Sequence, residues 1–321
     1  ANMDIADILK IVGGIGLFLY GMSAMGSSIE KFAGAGLEKA LQKLAGNSFK
    51  AIALGAGVTA VIQSSSATSI MVVGFINAGI MKLLQGVYVM MGANIGTTIT
   101  GQILRLGDLG SSSAMKIISP STFAPICVAI GSFMRLRIKK GRKRLIANIL
   151  FGFGTIFLGM SMIEEGVAPL GEMEGMVKVF KFLGNPIIGL IAGIAVVSIL
   201  QSASASVGVL QAISATGCVT FAAAYPIVLG MNVGKFIPII LANSGSGKKS
   251  KRAVMVDISI CACGVIVCLL ILNLWNIISG VPFWNSVVNR GNIADFNTIF
   301  NLCTTLVMFP ICPALVKLSA K

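Results

Sequence analysis

Histidine is absent from the 321-residue chain, and with it go Ser-His-Asp and Cys-His catalysis and most zinc sites. Charge is scarce: Asp, Glu, Lys and Arg make up 11% of the residues, against about a quarter in soluble domains. Acid is the scarcer sign, 11 Asp and Glu against 25 Lys and Arg, for a net charge of +14. Aromatic residues are sparse near the basic stretches, so there is no platform for stacking bases and no nucleic-acid partner is expected. Seven cysteines are present, Cys127, Cys218, Cys261, Cys263, Cys268, Cys303 and Cys312, mostly inside apolar runs. There they read as small packing residues, and no disulfide is expected. Cys261-Ala-Cys263 is too closely spaced for a CxxC motif and lacks a second pair, so no transition-metal site is expected either. Ser246-Gly247-Lys248 brushes the phosphate-loop pattern but fails it at Ala242 and Lys249.

What is abundant is apolar length. The chain is 55% hydrophobic with a mean hydropathy of +0.91, which places it with all-α polytopic membrane proteins; the expected location is the cell (inner) membrane. The basic residues collect in short loops between apolar runs, where they act as topology signals. The stretch Ala1 to Lys10 carries Asp4 and Asp7 in place of a basic n-region, so it does not read as a signal peptide.

An internal repeat organises these runs. Gln63-Ser-Ser-Ser66 is echoed by Gln201-Ser-Ala-Ser204, 138 positions later. The same offset relates Gly21-Met22-Ser23 to Gly159-Met160-Ser161, Gly46-Asn47 to Gly184-Asn185, and Gly92-x-Asn94-x-Gly96 to Gly230-x-Asn232-x-Gly234. Each half then reads as an apolar helix (7–25, 145–163), a charged amphipathic stretch (27–47, 164–184), and an apolar run centred on the Gln-Ser cluster (48–80, 186–218). An interrupted helix (84–105, 222–243) and a further span (116–134, 253–272) complete each half. The expected division is repeat 1 over 1–138, repeat 2 over 139–276, and an extra-repeat segment over 277–321 with a last span at about 293–316. The runs 48–80 and 186–218 are too long for one spanning helix of roughly 20 residues and too short for two with a turn. They fit re-entrant helical hairpins with the polar cluster as the unwound tip, tolerable where it is buried in protein or lines a wet cavity.

Loop charge gives the orientation. Arg135 to Arg144 holds seven basic residues and its counterpart Asn273 to Pro282 holds none. Lys248, Lys249, Lys251 and Arg252 oppose the uncharged Gly110 to Ala114, and the acidic Glu164, Glu165, Glu172 and Glu174 oppose Lys31, Lys39 and Lys43. One arrangement satisfies all three comparisons: inverted halves, the 135–144 loop cytoplasmic, the N-terminus outside and the C-terminus inside.

Inverted repeats with discontinuous helices place a substrate near the bilayer midplane at the repeat interface. The half-helix after each tip begins with free N–H groups and a positive dipole end, an anion site. Hydroxyls of Ser64, Ser65, Ser66 and Thr68, with Ser202, Ser204 and Ser206, can donate to substrate oxygens. The same hydroxyls, with unwound carbonyls and Gln63 or Gln201, can instead accept a dehydrated sodium ion, so a tetrahedral oxyanion with alkali cations beside it suits the cluster. Ser, Thr and Gly also pack helices closely in membranes; the duplication, the Gln in both copies and the hairpin length favour the site. Asn94, Gly96, Thr97 and Thr98, and Asn232 with Gly234, read as unwound turns whose carbonyls face the cavity. Lys235 lies about fourteen residues into its helix, where an ionisable group is functional by default. Its ammonium can pair with the bound anion or take the place of a cation; snorkelling to an interface is its structural alternative.

The paired Gln-Ser-x-Ser clusters, each followed about 30 residues later by Gly-x-Asn-x-Gly, resemble the sodium-dependent inorganic phosphate cotransporter family, the type II carriers of animals and their bacterial relatives. Ile293-Ala-Asp-Phe-Asn-Thr-Ile-Phe-Asn301 also looks like a family segment. The resemblance implies sodium-driven movement of phosphate, with Gln63, Ser64, Ser65, Ser66, Gln201, Ser202 and Ser204 lining the site. The chain departs from the family at Ala203, where a Ser is common, and at Lys235, where relatives usually carry a hydroxyl. It also departs in orientation, since the connection between repeats is extracellular in animal relatives. Many bacterial relatives carry a soluble helical domain after the membrane part.

The expected function is therefore alternating-access transport of phosphate coupled to sodium. Phosphate binds at Gln63, Ser64, Ser65, Ser66, Gln201, Ser202, Ser204 and Lys235, and sodium at Thr68, Asn94, Gly96, Thr97, Thr98, Ser206 and Asn232. A sodium-independent phosphate exporter or channel, or a membrane phosphate sensor, uses the same donors. Catalysis is not expected, for want of a general base. Monomer and homodimer stay open.

Overall fold

The computed structural model describes residues 3–33, 36, 39–40, 47–106 and 120–319. Among them the regular elements are helices, apart from one antiparallel bridge between Thr220 and Val287, as backbone in lipid requires. In the first half α1 (Ile5–Ala33) precedes the pair α2 (Ser48–Ile62) and α3 (Ser65–Asn77), then α4 (Leu83–Gly96) with α5 (Thr98–Leu104), and α6 (Pro120–Arg137). The second half keeps the order: α7 (Arg142–Val167), α8 (Glu174–Leu183), the pair α9 (Pro186–Leu200) and α10 (Ala203–Ile213), α11 (Phe221–Gly234) with α12 (Phe236–Ala242), and α13 (Lys248–Ile278). Helices α14 (Arg290–Met308) and α15 (Cys312–Leu318) follow. Four described segments, Ile5–Ala33, Arg142–Gly171, Phe221–Ala242 and Lys248–Ile278, are long and apolar enough to cross a membrane.

Close helix approach holds the bundle together, since apolar surface gains little by leaving lipid for protein. Where α1 crosses α7, Gly14 faces Gly159 and Gly21 faces Gly152. A Cβ at Gly21 would lie 2.7 Å from the Gly152 carbonyl oxygen, and one at Gly152 would lie 2.8 Å from that of Gly21. Residue numbers rise along one helix as they fall along the other, so the two helices run antiparallel. Gly14 corresponds to Gly152 and Gly21 to Gly159 under the 138-residue offset, which makes the contact self-complementary. Packing inside each half repeats as well. Gly92 backs onto the Ile52 carbonyl and Gly230 onto the Leu190 carbonyl, while Gly55 meets Val89 as Gly193 meets Ile227.

Several helices exceed their apolar windows. The span expected at 253–272 runs from Lys248 to Ile278, because long basic side chains at a helix end reach the interface without ending the helix. The helix expected over 293–316 is two helices bent by 69°; Pro310 and Pro313 remove N–H groups that a continuous helix would use. Helix α6 begins at Pro120; the expected start at 116, the loop Gly110 to Ala114, and most of 34–46 including Lys43 lie outside the described residues.

Candidate functional site

The two Gln-Ser clusters adopt one local structure. Gln63 (φ 60°) and Gln201 (φ 56°) are the two non-glycine residues with left-handed backbone among the described residues. Each caps the helix before it through its own N–H, which donates to the Thr59 carbonyl at 2.6 Å and to the Val197 carbonyl at 2.7 Å. Ser64 and Ser202 then extend and act as N-caps, their hydroxyl oxygens accepting from the N–H groups of Ala67 and Ala205, both at 3.2 Å. The N–H groups of Ser65, Ser66, Ala203 and Ser204 occupy the first two positions of α3 and α10, where a helix supplies no acceptor. A non-glycine residue in this region costs about 1–2 kcal/mol, a strain that clusters at functional sites.

The tips of α2–α3 and α9–α10 also touch. The Ser204 hydroxyl donates to the Gln63 carbonyl at 3.5 Å and lies 3.3 Å from the Ser202 hydroxyl. Ser65 and Ser204 are buried; Ser64, Ser66 and Ser202 are half-buried. The glutamine side chains differ: Gln201 is exposed, whereas Gln63 keeps a buried Oε1 without a hydrogen-bond partner among the described residues. Thr68 and Ser206, both fully buried, have committed their O–H groups to the carbonyls of Ser64 (3.1 Å) and Ser202 (2.7 Å). What each has left to offer is oxygen lone pairs, which suit a cation better than an anion. Thr59 adds a hydrogen bond to Thr68 at 2.9 Å.

The interrupted helices sit beside the tips. A Cβ at Gly96 would lie 2.8 Å from that of Thr59, and one at Gly234 would lie 2.9 Å from that of Val197, each facing the last turn before a tip. Unwound turns at Asn94 and Asn232 are not what forms. Both residues lie within helices, and the interruption falls one turn later, at Thr97 and Lys235, with both residues still in right-handed helical backbone. Both asparagine side chains reach to a neighbouring helix. The Asn94 amide donates to Asp257 Oδ1 at 3.0 Å, and the Asn232 amide donates to Asn297 Oδ1 at 2.9 Å as well as to the Val228 carbonyl. The hydroxyls of Thr97 and Thr98 donate to the carbonyls of Ala93 (2.9 Å) and Ile95 (2.8 Å), again leaving lone pairs.

Lys235 is buried and donates to Asn232 Oδ1 at 3.4 Å, with Asn301 donating to the same oxygen at 3.1 Å. Among the described residues no hydrogen bond joins Lys235 to a tip hydroxyl. It stands in a cluster that the repeat-based reading missed: Asp257 on α13 and Asn297 and Asn301 on α14. Asp257 carried a signal of its own, a lone acidic residue in a long apolar helix. Asn297 and Asn301 carried less, being outside the repeat. Helix α14 binds both halves. Gln102 and Arg105 donate to Asp295 at 3.2 and 2.6 Å, Arg290 pairs with Glu164, and Gln211 donates to the carbonyls of Gly101 and Arg290.

A family profile described as Na+/Pi-cotransporter matches residues 17–165 and 167–283. The chain is 25% identical over 304 residues to the "Putative inorganic phosphate export protein YjbB" of Escherichia coli (strain K12), a match covering 94% of this chain and 53% of that protein. It is 23% identical over 295 residues to the "Uncharacterized protein YqeW" of Bacillus subtilis (strain 168), covering 92% and 91%. The "Sodium-dependent phosphate transport protein 2B" of Homo sapiens is 26% identical over 114 residues, or 35% of this chain and 16% of that protein. The chain thus spans about half the length of the export proteins it matches. No solved structure matches it.

Proposed function

The chain belongs to the Na+/Pi-cotransporter family, and from that premise we propose that it is a secondary transporter that moves inorganic phosphate across the cell membrane by alternating access, coupled to sodium. The observation that carries this reading is the duplicated tip: two left-handed glutamines, two serine N-caps and two open helix N-termini, in contact through Ser204 and the Gln63 carbonyl. Phosphate is held by the free N–H groups of Ser65, Ser66, Ala203 and Ser204 and by the hydroxyls of Ser64, Ser65, Ser66, Ser202 and Ser204, with Gln63 and Gln201 at the edge. Sodium is held by oxygens whose protons are already committed, those of Thr68 and Ser206, together with Asn94, Gly96, Thr97 and Thr98, while the Asn232 side-chain oxygen is occupied by the Lys235 ammonium and the Asn301 amide. Lys235 supplies positive charge beside them.

The halves 1–138 and 139–276 act as inverted repeats, each with its re-entrant pair, and residues 277–321 stand outside them. Support comes from the antiparallel, self-complementary contact of α1 with α7 and from the matched glycine packing inside each half. Alternating access is then a rocking of one half on the other about the tips. The protein lies in the inner membrane with the 135–144 loop in the cytoplasm.

Flux of radiolabelled phosphate in vesicles of the purified protein tests this, with a sodium gradient and with potassium in place of sodium. Accumulation that requires sodium is expected. Ser65→Ala and Ser204→Ala are each expected to weaken phosphate binding roughly ten- to hundredfold, the loss of a hydrogen bond to a charged group; unchanged affinity in both would refute the site. A second reading, sodium-independent export, is favoured by one residue, the buried Lys235 where the first half has Thr97. Equal flux with either cation would remove sodium coupling and favour an exporter or channel.

A further inference from the structure

Two opposite ionisable groups share the apolar interior of the second half. Asp257 is fully buried in α13, and Lys235, 2% exposed, marks the break between α11 and α12. Burying an ion in a membrane is expensive, so each needs a partner. Asp257 Oδ1 accepts from Asn94 of the first half, whereas its Oδ2 is buried and has no hydrogen-bond partner among the described residues. The Lys235 ammonium meets Asn232 Oδ1 at 3.4 Å. The two charges act on each other electrostatically, yet no ion pair within 4.0 Å joins them among the described residues. The carboxylate is therefore aligned by an amide and is not closed onto the ammonium.

The same position in the first half is Thr97, a hydroxyl with lone pairs to spare. With a hydroxyl at 235 the second half would offer a buried, unpartnered carboxylate oxygen, a hydroxyl and the Asn232 side-chain oxygen. That is an all-oxygen set with one negative charge, the kind that holds a hard cation. In the chain as it is, an ammonium tethered to position 235 supplies the positive charge.

We propose that Asp257 is the carboxylate of a cation site whose occupant in this chain is the ammonium of Lys235, a built-in cation in place of a sodium ion. The second half then needs one fewer sodium per cycle, and Asp257 stays neutralised whatever ion gradient prevails. The inference rests on the transport reading for its meaning, but its first test does not.

The test measures the melting temperature of purified protein in sodium chloride, potassium chloride and choline chloride at constant ionic strength, for the wild type, Lys235→Thr, Asp257→Asn and the double variant. Sodium is expected to raise the melting temperature of Lys235→Thr by roughly 2–4 °C beyond its effect on the wild type, and the double variant is expected to lose that excess. An equal sodium response in Lys235→Thr and the wild type, or an excess that the double variant retains, overturns the proposal. Lys235→Gln, with a longer neutral side chain, is read in the same way should the threonine variant not fold. Failure of both to fold in sodium also overturns it, since sodium then does not fill the site. Phosphate flux in vesicles is the second arm, and the sodium dependence of Lys235→Thr is expected to steepen by about one ion. A sodium-specific melting shift without phosphate flux in any variant would leave the cation site standing and remove the transport reading instead.

Discussion

A glutamine held at φ near +60° gives up about 1–2 kcal/mol relative to ordinary helical or extended backbone, and the chain holds two of them at equivalent positions. Gln201 isolates the backbone effect because its side chain is exposed. Gln201→Gly is expected to melt at or above the wild type, since glycine enters the left-handed region without penalty. Gln201→Val is expected to melt lower by an amount equivalent to about 1–2 kcal/mol, because a β-branched side chain fits that region poorly. Thermal unfolding in detergent distinguishes them, and equal melting of the two would mean that the tip is not left-handed in the purified protein. The repeated Gln-Ser spacing made the tips visible in the sequence. The left-handed turn itself was not visible, since glycine is the residue such a turn normally uses. Asp257 was overlooked for a related reason: its counterpart under the offset is Ser119, so a search for duplicated features passes over it.

Between helices the balance is set by carbonyl-to-Cα approach. A Cβ at Gly92 runs into the backbone carbonyl of Ile52 on α2, and neither backbone moves without separating α2 from α4. Gly57 and Gly74 lie on α2 and α3 with open space where a Cβ would be. Gly92→Ala and Gly230→Ala are expected to destabilise by about 1–3 kcal/mol, as overpacking does. Gly57→Ala and Gly74→Ala are expected to be neutral or to stabilise by up to about 1 kcal/mol through helix propensity. Melting curves of the four variants check this ranking; equal losses at Gly92 and Gly57 would show that the close crossing is not what holds α2 to α4. At this scale the Gly-x-Asn-x-Gly segments were legible as something other than plain helix, and what was misplaced was the break itself. The glycines serve packing, the asparagines reach across to α13 and α14, and the break comes at the next residue type that differs between the halves, Thr97 or Lys235.

For the molecule as a whole, the decisive property is how often the chain changes sides. Lys139 lies in the loop before α7, and Gly247 immediately precedes α13. Between them come α7, the pair α9–α10, and the α11–α12 span, with the 10-residue α8 too short to cross by itself. Helices α9 and α10 have 15 and 11 residues, so at 1.5 Å per residue neither matches a hydrocarbon core of about 30 Å. If the pair is re-entrant it returns to the side it entered from, leaving two crossings and putting Lys139 and Gly247 on the same side. If the pair together makes one bent span there are three crossings, and the two positions lie on opposite sides. Helix α13, with 31 residues, crosses in either case and carries Gly280 to the far side from Gly247. Single cysteines at 139, 247 and 280, in a background with the seven native cysteines replaced, report this through a membrane-impermeant maleimide added to sealed vesicles of one orientation. The expected result is that Lys139→Cys and Gly247→Cys label together and Gly280→Cys labels from the other side. Labelling of Lys139→Cys with Gly280→Cys would make α9–α10 a spanning unit, move its serines off the midplane tip, and remove the inverted-repeat reading along with the site built on it.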